Sequence, residues 1–230
     1  MEILADLSHD RKSALLNCTS PIERSNTNTK AHWEHIYERK TPSQVSWYQP
    51  HPQLSLQLIQ RTNVPRTGQI IDVGGGASTL VDHLLADGFR RITVLDISAT
   101  ALQIARQRLG PRAAEVTWLE ADITQIELAH HFYDVWHDRA VFHFLTRAED
   151  RQRYVEAVQQ AVCPGGHVII ATFALDGPPN CSGLDIARYS PDSLHDEFGS
   201  SFELVDSTSE AHQTPFGTEQ KFIYCYCRKG

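Results

Sequence analysis

"IIDVGGGAST", residues 70–79, decides how this chain folds. Ile70, Ile71 and Val73 read as a short buried strand, and Gly74, Gly75 and Gly76 break it. Glycine reaches backbone conformations closed to other residues and lets a ligand approach the main chain. Beyond the loop, "STLVDHLLADG" (78–88) has helical periodicity and stops at Gly88. The loop thus joins a strand to a helix N-terminus, where free amide groups face outward. Alone, such a loop is weak evidence, since a simple tight turn has the same look.

The pattern on either side repeats strand then helix. "RITVLDI" (91–97) is a strand, and Ser98 caps the helix "ATALQIARQRLG", which Gly110-Pro111 ends. "EVTWLEA" (115–121) and "YDVWHD" (133–138) are strands, "DRQRYVEAVQQAV" a helix and "HVIIATFA" a strand. Ser190-Pro191 opens a short helix by the cap-then-proline rule. "FELVDS" and "QKFIYCYCRK" close the chain as strands. This alternation predicts an α/β fold: one doubly wound, mainly parallel sheet with helices on both faces. The last two strands leave no room for a helical crossover, so one of them runs antiparallel. Upstream, "AHWEHIYERK" (31–40) and "QLSLQLIQRT" (53–62) read as helices around a proline-bounded loop. Residues 1–29 are polar and read as a flexible arm, with the folded domain over residues 30–230.

A length of 230 residues with 41% hydrophobic content supports one sizeable core. The net charge of −7 argues against nucleic acid, which demands clustered Lys and Arg. No apolar run reaches membrane-spanning length, and "MEILADLSHDRKS" lacks a signal peptide's basic start and apolar stretch. Five cysteines without disulfide spacing imply reduced thiols and a cytoplasmic location. A monomer is expected.

Three acids follow strand ends. Asp96 closes the second strand, where a carboxylate can accept both hydroxyls of a ribose; it can equally cap the helix near Ser98. Asp122, in "EADIT", can meet an adenine edge or cap a turn. Asp72 precedes the glycines, and Thr79 stands where a dinucleotide fingerprint wants glycine. A carboxylate beside a pyrophosphate would repel it by about 1 kcal/mol or more. Asp72 therefore suits a ligand carrying a cation.

The ordered set "DVGGGAS", "VLDIS", "EADIT", "YDVWHD" and "CPGGHVIIATF" resembles the class I S-adenosylmethionine (SAM)-dependent methyltransferases, from about residue 30 to the C-terminus. The resemblance implies a seven-stranded sheet with an antiparallel last strand and SAM across the strand ends. It further implies that Asp72 and Gly74 sit by the methionine part, Asp96 on the ribose, and Asp122 with Ile123 by the adenine. Gly76, Ile97 and His137 complete the implied cofactor-binding set. Ser78, where many members carry a third glycine, is a mild departure. The segment "HWEHIYERKTPSQVSWYQPHPQL" (32–54) resembles the cofactor-covering segment of thiopurine-type methyltransferases and of some lysine methyltransferases. Trp33, Tyr37, Trp47 and Tyr48 are its candidates to shield a sulfonium, or simply to pack the helix on the domain.

"YDVWHDRAVFHFL" (133–145) then falls at the sheet's switch point, where open α/β sheets bind ligands. His137, Asp138 and Arg139 are the catalytic candidates. His137 can act as a base or touch only the cofactor; Asp138 can orient it or hold the acceptor; Arg139 can pair with Asp138 or bind an acidic acceptor. His143 reads as a core or edge histidine. "ALDGPPNCSGLDIARYS" (174–190), with Cys181, Arg188 and Tyr189, is a candidate lid, and "HQTPFG" (212–217) a candidate part of the same mouth. Cys225 and Cys227 share one strand face and could meet Cys181 around a soft metalloid acceptor, or be packing thiols. No CxxC or His-x-Cys pattern supports a metal site, and none is expected. The expected function is methyl transfer from SAM to a small molecule. Protein lysine as acceptor, a nicotinamide oxidoreductase and a catalytically silent SAM binder are the alternatives.

Overall fold

The computed structural model describes residues 21–230, with side chains from residue 29. Of the expected arm, residues 1–20 lie outside the described residues. Helix α1, Pro21–Arg39, begins ten residues before the helix read from the sequence, which starts at Ala31. Proline suits a first helical turn, because its missing N–H would have no partner there. Helix α2 follows at Gln53–Arg61.

The alternation then runs β1 (Gln69–Val73), α3 (Leu80–Ala86), β2 (Arg91–Asp96), α4 (Ala99–Leu109), β3 (Val116–Glu120), β4 (Tyr133–Arg139), α5 (Ala148–Ala161) and β5 (Val162–Phe173). A two-stranded hairpin, β6 (Asn180–Cys181) and β7 (Leu184–Asp185), precedes α6 (Pro191–Phe198), β8 (Phe202–Gln213) and β9 (Glu219–Lys229). Seven strands form one sheet in the order β3-β2-β1-β4-β5-β9-β8. Strands β1 to β5 are parallel, and β9 runs antiparallel to both β5 and β8. The class I arrangement and its antiparallel last strand are those expected. Strand β8 is longer than "FELVDS" suggested, and along this sheet edge its exposed positions alternate with mostly half-buried ones.

The sheet is buried on both faces. Leu58, Ile59, Leu80, Leu84 and Leu102 from α2, α3 and α4 cover one side with Ile70 and Tyr224. Tyr154, Val158, Leu194 and Phe198 from α5 and α6 cover the other with Ile71 and Trp136. Successive strand residues point to opposite faces. Hence His137 and Arg139 share the first face, while Trp136 and Asp138 share the second with Tyr154. Strand order reverses between β1 and β4, and the crevice opens at their C-terminal ends. Among the described residues no helix is long and apolar enough to cross a membrane.

Candidate functional site

The glycine loop hugs the end of β2. The amides of Gly74 and Gly75 donate to the Leu95 carbonyl at 2.7 and 3.2 Å. Gly74 has φ +68°, and a Cβ there would stand 2.0 Å from Val141. Gly76 has φ +29°, and its Cβ would stand 2.5 Å from Asp96 Oδ2. Only glycine fits either place.

Over this loop lies a cavity of about 360 Å³, within the size range of small-ligand sites. Gly74, Asp96 and Ile97 line one side and Asp122 and Ile123 another, with Arg139 at the β4 end. Trp33, Tyr37 and Trp47 roof it. The roof is interlocked: Trp33 makes edge contacts with Trp47 at 5.8 Å and Phe144 at 5.0 Å between ring centroids. Tyr48 lies outside this cavity and lines the smaller one beside it.

Asp96 Oδ1 accepts from the Ser98 amide at 2.8 Å, so the capping role read from the sequence is present alongside its place in the cavity wall. Burial, helped by the charges of Asp72 and Glu34, pushes this carboxyl up to about 7. Asp122 behaves alike: Oδ1 accepts from the Thr124 amide and hydroxyl at 2.8 and 2.7 Å while the residue lines the cavity.

Glu34 was not singled out from the sequence. Its carboxylate accepts from Ser98 Oγ at 3.0 Å and from the Ala99 and Thr100 amides at 2.7 and 3.1 Å, fastening α1 across the N-terminus of α4. Burial opposes its charge, yet the hydrogen bonds from Thr100, Ala99 and Ser98 together outweigh burial and hold it below the ordinary glutamate range. Lys30 pairs with Glu120 beside it.

The His-Asp-Arg cluster divides. Arg139 donates to the Tyr224 hydroxyl at 2.9 Å, the Trp47 carbonyl at 3.0 Å and Glu210 Oε2 at 3.1 Å. An Asp138–Arg139 pair, one of the two readings of Arg139, is not made, since adjacent strand residues face opposite ways. Asp138 is fully buried and away from the cavity. It accepts from the Val141 and Phe142 amides at 2.8 and 3.1 Å and from the Tyr154 hydroxyl at 2.6 Å. Its geometry is that of a turn anchor and not of an acceptor contact. His137 does not line the large cavity. Its Nδ1 meets Asp72 Oδ1 at 2.7 Å and its Nε2 meets Ser55 Oγ at 2.9 Å. Asp72, His137 and Ser55 line a side cavity of about 50 Å³ that shares Gly74, Tyr37, Trp47 and Arg139 with the large one. Gly76 lines neither cavity; it sits against Asp96. Ser55 gave only a faint sequence signal, a small polar residue on the apolar face of α2.

His143 is a core residue: fully buried, with Nδ1 accepting from the Phe173 amide at 3.4 Å, and burial followed by the Arg139 charge lowers it to about 3. The candidate lid contributes Cys181, Leu184 and Asp185 to the cavity, whereas Tyr189 is buried in the core and Arg188 ties back to the Gly177 carbonyl. Residues 212–217 line neither cavity. The three thiols do not converge. Cys181 packs with the core on one sheet face, Cys225 and Cys227 with the core on the other. Soft-metalloid binding by this trio is thereby overturned. Among the described residues no group of three or more His, Cys, Asp or Glu could hold a metal ion.

A methyltransferase-domain family model matches residues 71–170, from β1 into β5. The zebrafish (Danio rerio) eEF1A lysine and N-terminal methyltransferase is 25% identical over 146 residues, covering 62% of this chain and 21% of the relative. The chain spans about a fifth of the length of the first curated relatives it matches. Among solved structures, one described for the conversion of a disulfide bond into a thioacetal group during echinomycin biosynthesis is 18% identical. It superimposes with a TM-score of 0.70, covering 87% of this chain and 91% of its own. The Burkholderia thailandensis 1,6-didemethyltoxoflavin-N1-methyltransferase, with 1,6-didemethyltoxoflavin and S-adenosylhomocysteine bound, is 17% identical. Its TM-score is 0.68, covering 97% and 98%. Family model and sheet agree with the strand-end acids and the glycine loop: residues 71–170 match a methyltransferase domain, and the chain has the fold of the class I SAM-dependent methyltransferases.

Proposed function

We propose that the chain binds SAM in the 360 Å³ cavity and transfers its methyl group to a small-molecule nucleophile by in-line displacement. One observation carries the reading: Asp96 and Asp122, at the ends of neighbouring strands, border a cavity that Gly74 floors and aromatic rings roof, and Asp72 lines the side cavity next to it. The residues fit the cofactor on their own chemistry. Asp72 Oδ2 is buried with no hydrogen-bond partner, and at Gly74, in the cavity wall, a Cβ would collide with Val141. When bound, SAM supplies a methyl carbon made electrophilic by its positively charged sulfur.

The chain's own groups then bind, orient and exclude water. The Asp96 carboxylate accepts from ribose hydroxyls, Asp122 and Ile123 flank the adenine with Ile97, and Asp72 faces the charged amino-acid end with Gly74. Trp33, Tyr37 and Trp47 keep water out and offer ring faces worth about 0.5–2 kcal/mol to a cation. Arg139 uses three of the five donors a guanidinium carries, so it has donors left to orient an acceptor. Both nitrogens of His137 are engaged within the protein. Rate enhancement therefore comes from alignment, which supplies several kcal/mol, and the acceptor arrives with its lone pair free.

A protein lysine is the second reading, favoured by the lysine methyltransferases among the curated relatives. Incubating a lysate with tritiated SAM and the protein, then separating proteins from small molecules, tests both. Label in the small-molecule fraction supports the first reading, label in a protein band the second, and label in neither contradicts methyl transfer. We read the chain as a cytoplasmic monomer whose methyltransferase domain covers residues 30–230, with an acceptor that is not nucleic acid, supported by its charge of −7.

A further inference from the structure

We propose that His137 and Ser55 are positioning residues that lock the Asp72 carboxylate, so that one oxygen is used inside the protein and the other is reserved for a cationic group entering the side cavity. This rests on the SAM-binding reading above and adds the residues that set its amino-acid end. Asp72 on β1 and His137 on β4 are direct register partners, so their side chains leave the sheet on one face at one level. A carboxylate can only accept, so His137 Nδ1 donates to Asp72 Oδ1 across 2.7 Å. In the neutral ring Nε2 is then an acceptor, and the Ser55 hydroxyl donates to it across 2.9 Å.

The order of these bonds fixes the ring. If the imidazole turned over, both contacts would be lost inside the protein, where an unmade hydrogen bond costs roughly 1–3 kcal/mol. All three side chains are buried, with Ser55 at 0%, His137 at 2% and Asp72 at 3% exposure, so neither bond lies open to bulk water. Asp72 Oδ2 is left with no partner, and a Cβ on Gly75 would stand 2.4 Å from it. The oxygen is therefore kept open by the absence of a side chain as well as by the lock. The side cavity of about 50 Å³ has room for a group of ammonium or water size. An unpaired carboxylate oxygen fixed at such a place is a site for a small N–H cation.

Two probes separate this from general damage. S-Adenosylhomocysteine carries the amino-acid end, and 5′-methylthioadenosine shares its nucleoside and thioether without it. Calorimetric titration of the full chain should show His137→Phe weakening S-adenosylhomocysteine by about tenfold or more, the order of one hydrogen bond to a charged group. The same variant should leave 5′-methylthioadenosine within about twofold, because that probe never reaches Asp72. His137→Asn, whose amide can donate where Nδ1 does, should restore most of the loss, and Ser55→Ala should show a partial one of about threefold. Should the Phe variant fail to fold, the Asn and Ala variants carry the test with the same two probes. An unchanged ratio of the two affinities in His137→Phe and Ser55→Ala overturns the inference. So does equal weakening of both probes, which would leave His137 a mere support of the fold. If the unaltered protein binds neither probe, the SAM-binding reading itself has failed.

Discussion

Asp72 and His137 lie opposite one another on neighbouring strands, joined by a 2.7 Å hydrogen bond, while Asp138 one residue on faces the other side of the sheet. This single relationship sorts the charged cluster at the end of β4. In the function proposed above, His137 belongs to the cofactor side and Arg139 to the junction with the acceptor, while Asp138 is bonded into the turn beyond β4.

Asp96→Ala should weaken SAM binding by roughly 1.5–3 kcal/mol, the range for hydrogen bonds to a charged group. Its carboxyl is pushed up to about 7 from an ordinary 3.8, burial being the main cause. The folded state therefore holds this proton more tightly, and the stability so contributed is present in acid and lost as pH rises through about 7. The ionised form is the better acceptor of ribose hydroxyls. Affinity for SAM should rise between pH 6 and 8, about one unit either side of that value, and Asp96→Asn should flatten the rise. Titration calorimetry at several pH values checks both.

Asp138→Ala should act on stability instead. It strips partners from a part-buried amide, from a buried one and from the buried Tyr154 hydroxyl. Chemical denaturation should show a loss of roughly 2–4 kcal/mol, the scale for breaking a buried hydrogen-bond network. Methyl transfer per folded molecule should persist. A stable variant with no turnover would return Asp138 to the acceptor site.

His143→Phe should remove a source of acid sensitivity. Burial holds the folded ring neutral down to about 3, against 6.5 ordinarily, so the unfolded chain binds more protons throughout that window. Stability from this group is full above 6.5 and falls as pH drops toward 3. Urea denaturation at pH 5 and pH 7 should show the Phe variant losing less in acid than the native chain. Equal losses would mean the ring is hydrated or paired in a way the structure does not show.

Glu34→Ala should loosen α1. The carboxylate caps α4 and ties the helix that carries Trp33 and Tyr37, and losing such a cap costs about 1 kcal/mol. Limited proteolysis should cut α1 faster in the variant, and bound SAM should slow the cut again. Unchanged cleavage would show that the roof is held by its aromatic contacts alone.

Much of this was legible in the residues because strand-ends are punctuated. Glycines at 74–76, a carboxylate at 96 and another at 122 recur at the same edge of the sheet, and alternation fixes the order of elements. Contacts that cross the sheet were not legible. The Arg139–Glu210 pair spans 71 residues and the Ser55–His137 bond 82, and no local spacing encodes either. The Asp138–Arg139 pair was misjudged because neighbours in sequence look adjacent, whereas a strand sends them to opposite faces. The cysteines failed for a related reason. Cys225 and Cys227 do share a face, but it is the face away from Cys181.

The most direct measurement is calorimetric titration of the protein with SAM, beside a parallel titration with NAD. The account predicts that SAM binds one molecule per chain, that Asp96→Ala weakens it by roughly ten- to a hundredfold, and that NAD gives no saturable heat. Saturable binding of NAD with none of SAM, or SAM binding indifferent to Asp96, would contradict it.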